Sequence, residues 1–138
     1  MGLKYLLDTN ILSEPAKPQP NPNVMRNLDL YAGEYCTSST VWHEMQFGVE
    51  RMPDSKRKES LIAYLATLEQ SGLPILPYDK NAALWFAQER ARLAGLGIVA
   101  TYADGEIAAV THINNLLLVT RNIKGFDKFI KLTTLDWF

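Results

Sequence analysis

Apolar positions in this chain alternate between short continuous runs and longer stretches with helical spacing. Leu3 to Leu7 is a short apolar run ending at Asp8, the pattern of a strand buried on both faces. Thr9 to Glu14 can open a helix with Asp8 or Thr9 as its cap. Pro15, Pro18, Pro20 and Pro22 then predict a stiff surface loop. Asn23 to Leu30 resumes as a helix with Val24, Leu28 and Tyr31 on one face. Glu34 to Thr37 reads as a second strand. The hydroxyls of Ser38 to Thr40 offer caps for a helix running to about Arg51, which Pro53-Asp54 ends. Lys56 to Gln70 is a further helix, with Leu61, Ile62, Leu65 and Leu68 at helical spacing and Lys56, Arg57, Lys58 and Glu59 facing water.

Ile75 to Tyr78 predicts a third strand, and Asp79 caps a helix over Asn81 to Leu93 that Gly95 and Gly97 terminate. Tyr102 to Ile113 is an apolar helix with Asp104 in its first turn, Leu116 to Thr120 a strongly strand-like run, and Lys131 to Leu135 a last short strand. Strands alternating with helices predict a parallel sheet with helices on both faces. Ligands of such sheets bind beyond the carboxyl ends of the strands, where Asp8 and Asn122 fall.

Composition narrows the possibilities. A length of 138 residues with 47% hydrophobic and 21% charged residues suits one globular domain, here 1–138. Fourteen Lys and Arg against 15 Asp and Glu leave a net charge of -1, so contact with a polyanion must come from a local patch or a bound cation. Cys36 is the only cysteine, which excludes an intrachain disulfide, and its apolar neighbours suggest a small buried residue. No run approaches the roughly 20 apolar residues of a membrane span. The start of the chain is too soon charged for a signal peptide, so a cytoplasmic, reducing compartment is expected.

Three acids carry the candidate chemistry. Asp8 at a strand end has a plain reading as a turn or cap. Glu44 borders the apolar face formed by Trp42, Met45 and Val49. Asp104 lies among small and apolar residues near a helix N-terminus, where it is either a cap or, if buried, a carboxylate in need of a cation. Together they make a hard-oxygen set suited to Mg²⁺ or Mn²⁺, which keeps several waters and needs only two or three carboxylates. An ion held there would orient a phosphodiester and activate water. Zinc-type His and Cys spacing is lacking, and Gly95-Leu96-Gly97 has no Lys to make a phosphate loop.

Four motifs then bring a family into view. Leu6-Leu7-Asp8-Thr9-Asn10-Ile11-Leu12-Ser13-Glu14 resembles the opening of PIN-domain proteins of the VapC and FitB type. Ser39 to Val49, Ala103 to Ala109 and Leu118 to Asn122 with Phe126 are similar to their later blocks, and Leu135-Asp136-Trp137-Phe138 to their aromatic finish. The resemblance spans the chain in order. It implies a PIN-like three-layer α/β fold with a short, mostly parallel sheet flanked by helices. It also implies a Mg²⁺- or Mn²⁺-dependent endoribonuclease acting on RNA, with tRNA the expected substrate class. Such a protein is the toxin half of a type II toxin–antitoxin pair, with a VapB-like antitoxin and a homodimer expected. Its acids fall on Asp8, Glu44 and Asp104. The fourth acid of the pattern Thr-Arg-Asn-x-x-Asp-Phe falls on Gly125, which leaves Asn122, Asp127 or water for that place.

Other residues have two readings each. Asn10 and Thr120 brace the carboxylates or merely shape turns. Arg121 and Lys124 contact RNA phosphate or are solvated charges. Lys56-Arg57-Lys58 is most simply a solvated helix face, though it is also the densest basic run for RNA; Lys124, Lys128 and Lys131 form a second patch. His43 and His112 read as structural or surface residues, and Trp42, Phe47, Trp85 and Phe86 as core or as a groove for an antitoxin. Two competing functions are an inactive PIN-fold binding module, for which Gly125 is the hint, and a phosphatase with Asp8 as nucleophile. The phosphatase expects a second Asp where Asn10 stands.

Overall fold

In the computed structural model, which describes residues 2–138, the first apolar run forms β1 (Tyr5–Leu7), buried along its whole length. On one side it pairs with β2 (Tyr35–Ser38), and on the other with β4 (Leu117–Val119), in register Tyr5 with Tyr35 and Leu7 with Val119. β3 (Ile75–Leu76) and β5 (Thr134–Leu135) complete a parallel sheet in the order β3-β2-β1-β4-β5. The chain therefore leaves β1 toward β2 and later returns on its other flank as β4. The crevice between the ends of β1 and β4 is the switch point where open α/β sheets bind ligands.

Among the described residues seven helices flank the sheet, from α1 (Thr9–Leu12) and α2 (Pro22–Leu30) through α3 (Ser39–Glu50) and α4 (Lys56–Gln70). α5 (Lys80–Gly95), α6 (Tyr102–Ile113) and α7 (Ile123–Phe126) follow. Their starts follow from side-chain oxygens that satisfy first-turn N–H groups. Ser38 accepts from Val41 N at 3.2 Å and Asp79 from Ala82 N at 2.9 Å, as the sequence predicts. None of the helices is long and apolar enough to cross a membrane.

Leu6, Leu7, Ile11, Val41, Ile107, Val110, Leu118 and Val119 are sealed between sheet and helices. Each such side chain contributes about 1.5–3 kcal/mol on burial. Next to the start of β1, Tyr5, Tyr31 and Trp137 pack with ring centroids 4.9–5.6 Å apart, so Trp137 of the aromatic finish is held in a ring cluster with β1. Cys36 is buried, and burial pushes its thiol up to about 12, which makes it a packing residue.

Several expectations need correction. The Pro-rich stretch is not wholly loop: Glu14–Ala16 is a 3-10 turn, and Pro22 is the first residue of α2, where a missing N–H costs nothing. Gly95 stays inside α5, and Gly97, with φ of 74°, alone provides the left-handed turn. Arg57 and Lys58 are not simply solvated. Arg57 donates to Ala16 O at 2.7 Å, and Lys58 Nζ to Glu50 O and Met52 O at 3.3 and 3.1 Å, closing the end of α3. Phe47 is no core residue: it is 55% exposed, with His43 stacked 6.3 Å away and Arg51 over its ring.

Candidate metal centre at the strand ends

β1 ends in a carboxylate because the ladder continues one residue further: Asp8 N donates to Val119 O at 2.9 Å, which points the Asp8 side chain into the switch-point crevice. The side chain is 7% exposed. Its Oδ1 accepts from Thr9 N at 2.8 Å, capping α1. Its Oδ2 accepts from Thr120 Oγ1 at 2.8 Å and from Asn10 Nδ2 at 3.4 Å. The plain reading of Asp8 as a cap thus accounts for one oxygen only. Thr120, buried just past β4, links outward as well, accepting from Asn122 N at 3.0 Å, and Asn10 Oδ1 accepts from Arg121 N at 3.0 Å.

Glu44 comes from the middle of α3 and takes a 3.4 Å hydrogen bond from Thr9 Oγ1, which brings it to the same strand end. Asp104 stands in the first turn of α6. Thr101 is the cap of that helix, accepting from Asp104 N at 3.1 Å, so the Asp104 carboxylate is not spent on capping. Gly105 follows because the Phe86 ring of α5 lies against the backbone there, and a methyl group at this position would overlap the ring.

The electrostatics tie the three acids together. Burial raises the Asp8 pKa; hydrogen bonds from Thr120 and Thr9 N pull the other way, and the Asp104 charge raises it further. Glu44 is raised by burial and by both Asp8 and Asp104. The Asp104 charge thus acts on both Asp8 and Glu44, and none of the ion pairs among the described residues includes any of the three. Such a set takes up either protons or a cation. The donors are carboxylate, hydroxyl and amide oxygens, which fit a hard divalent ion such as Mg²⁺ or Mn²⁺. Among the described residues no three Asp, Glu, His or Cys stand close enough to grip an ion by themselves, so an ion of this class would keep part of its water shell here.

The remaining sequence candidates spread around this centre. Asn122 is exposed. Its backbone braces Thr120, and its Oδ1 accepts from Gly125 N at 3.3 Å, capping α7. Gly125, where the family pattern has an acid, has no room for one while Asn122 stays in place, because an added Cβ would overlap the Asn122 amide. Asp127 is exposed at the far end of α7, and Lys124 is exposed within it. His112 stacks on Trp85 with centroids 4.8 Å apart, a packing role, while Trp42 and Trp85 line the core and Phe86 is buried in it. Two further acids with buried or bonded carboxylates are not marked by the sequence. Glu106 accepts from Thr40 Oγ1 at 2.9 Å, and Glu14, 3% exposed, pairs with Lys17 at 2.8 Å. Glu14 had one available signal, an acid within an apolar strand-end motif.

With this geometry in hand, the similarities to known proteins fall into one line. The PIN domain model matches residues 5–132. The chain is 39% identical to Toxin FitB of Neisseria gonorrhoeae over 128 residues, covering 88% of this chain and 89% of that one. It is 33% identical to the tRNA(fMet)-specific endonuclease VapC of Shigella flexneri over 135 residues, 98% of each. Its structure matches that of VapBC2 from Rickettsia felis, bound to a DNA fragment from their promoter, with a TM-score of 0.83 and 29% identity over the full length of both chains. The chain belongs to the PIN domain family.

Proposed function

We propose that this chain is the toxin of a type II toxin–antitoxin pair, a Mg²⁺- or Mn²⁺-dependent endoribonuclease that hydrolyses RNA phosphodiester bonds, with tRNA as its substrate class. The observation that carries the reading is the crowding of Asp8, Glu44 and Asp104 at the switch point, with no ion pair among the described residues to balance them. The naming of relatives as ribonucleases and as a tRNA endonuclease supports it. Their occurrence in complexes with antitoxins supports a VapB-like partner.

In this reading Asp8 and Asp104 are the principal ligands and Glu44 the third. When bound, the ion supplies positive charge for the attacked phosphate and activates water. Thr9 N, Thr120 and Asn10 fix Asp8 in one orientation and oppose the upward shift that burial imposes on it, and Asn122 braces Thr120 from outside. Arg121 and Lys124 offer charges to the phosphates on either side. A phosphatase with Asp8 as nucleophile is disfavoured, because Asn10 stands where its acid would be and is already bonded to Asp8 and Thr120. An inactive binding module is favoured by one observation, the Asn122 amide closing the Gly125 slot. Sequencing RNA ends after induced expression separates the two. The toxin reading expects new ends at defined tRNA positions with wild type and none with Asp8→Asn. Identical RNA ends in both would favour the inactive module.

A further inference from the structure

The Pro-rich connection before α2 has no part in the chemistry above, yet it builds a wall beside it. Together with Arg121 and Phe138, Lys17, Gln19 and Pro20 line an open cleft of about 500 Å³. Its floor is Glu14. Burial raises the Glu14 pKa, but Lys17, the Asn21 N–H at 2.7 Å and the charge of Arg121 outweigh this and hold the carboxylate ionised. The buried acid thereby pins Lys17 at the mouth and leaves Arg121 as the excess positive charge.

Arg121 is oriented at both ends. Its guanidinium lies 4.3 Å from the centroid of the Phe138 ring, and its backbone N–H donates to Asn10, which itself donates to Asp8. A flat cation stacked on an aromatic ring offers a surface on which any base can stack, while Arg121 offers its charge, and Lys17 its remaining N–H donors, to a phosphate. Proline fixes φ, so the wall is stiff before anything binds.

We propose that this cleft seats one nucleotide of the RNA flanking the scissile bond, its base on the Arg121–Phe138 stack and its phosphate between Arg121 and Lys17. The assignment rests on the ribonuclease reading and gives that site a subsite. The test uses the full chain carrying Asp8→Asn, titrated with a labelled mixed-sequence hexaribonucleotide in Mg²⁺ and followed by fluorescence anisotropy. Adding Arg121→Gln or Phe138→Leu is expected to weaken binding about ten-fold each, as for loss of a stacked base. Arg121→Gln is also expected to reduce the slope of log affinity against log salt by about 0.7, one phosphate contact, whereas Phe138→Leu leaves the slope unchanged. Unchanged affinity and slope in the Arg121→Gln protein would overturn the proposal, as would a loss confined to antitoxin binding. Where the wild-type chain cleaves RNA and these variants bind it normally, the cleft assignment fails alone. Where the wild-type chain cleaves no RNA, the ribonuclease reading fails first.

Discussion

Thr40 Oγ1 donates to Glu106 Oε1 at 2.9 Å, and this single bond joins the two helices that carry Glu44 and Asp104. Thr40 stands one helical turn before Glu44, and Glu106 two residues after Asp104. The bond therefore ties α3 to α6 close in sequence to both acids. Thr40→Val removes the donor without changing the shape and is expected to cost about 1 kcal/mol in denaturant unfolding. It is also expected to weaken Mn²⁺ binding in calorimetry several-fold, while Thr40→Ser restores it. Stability lost with Mn²⁺ affinity intact would make the contact structural only.

Gly105 places α6 on Phe86, so a side chain there has to displace a buried ring. Gly105→Ala is expected to destabilise the fold by about 1–3 kcal/mol, the usual cost of overpacking. Combining it with Phe86→Leu is expected to recover part of that loss, a coupling that a double-mutant cycle by thermal unfolding reads directly. Additive losses would show that the ring is not the obstacle.

Glu89, 5% exposed, is gripped by Arg92 through bonds of 2.9 Å to each oxygen and also takes Ile130 N at 3.1 Å. These partners, Arg92 foremost, hold its pKa below the usual range. A carboxylate with a lowered folded-state pKa contributes stability above its unfolded pKa and loses it as pH falls through the folded one. The melting temperature is thus expected to drop in acid below the normal Glu range. Glu89→Gln is expected to flatten part of that drop while lowering stability at neutral pH. An unchanged acid limb in the variant would remove Glu89 as its source.

Asp127 is exposed at the far end of α7, and Asn122 fills the space at Gly125. Calorimetry with Mn²⁺ is therefore expected to give one ion per chain, with Asp127→Asn indistinguishable from wild type. A second site abolished by Asp127→Asn would reassign that residue.

The legible parts of this molecule were those written in local chemistry. Caps such as Ser38 and Asp79, the strand-end position of Asp8 and the apolar runs of β1 and β4 announce themselves in a few consecutive residues. What stayed hidden depends on distance. α7 spans four residues, too few to show a period, and its cap Asn122 reads in the sequence only as a candidate for the fourth ligand place. Arg57 and Lys58 resemble a solvated face because their partners, Ala16 O, Glu50 O and Met52 O, lie elsewhere in the chain. Thr40 and Glu106 are 66 residues apart, and nothing local to either marks the bond. At the candidate site, Asp8 and Asp104 were visible as acids at element ends. That Thr101 and not Asp104 caps α6 required the structure.

If Asp8, Glu44 and Asp104 hold a divalent ion for RNA cleavage, losing the ion or either aspartate carboxylate stops the reaction. The most direct measurement is cleavage of purified tRNA by the chain freed of its antitoxin, with Mn²⁺ or Mg²⁺ and with EDTA. Asp8→Asn and Asp104→Asn proteins serve as comparison, with circular dichroism verifying their fold. Wild type is expected to cleave, EDTA to abolish cleavage, and both folded variants to lose at least about 100-fold, the scale of removing a group that acts directly on the transition state. Cleavage that persists in EDTA, or in the folded Asp8→Asn protein, would contradict this role of the acids.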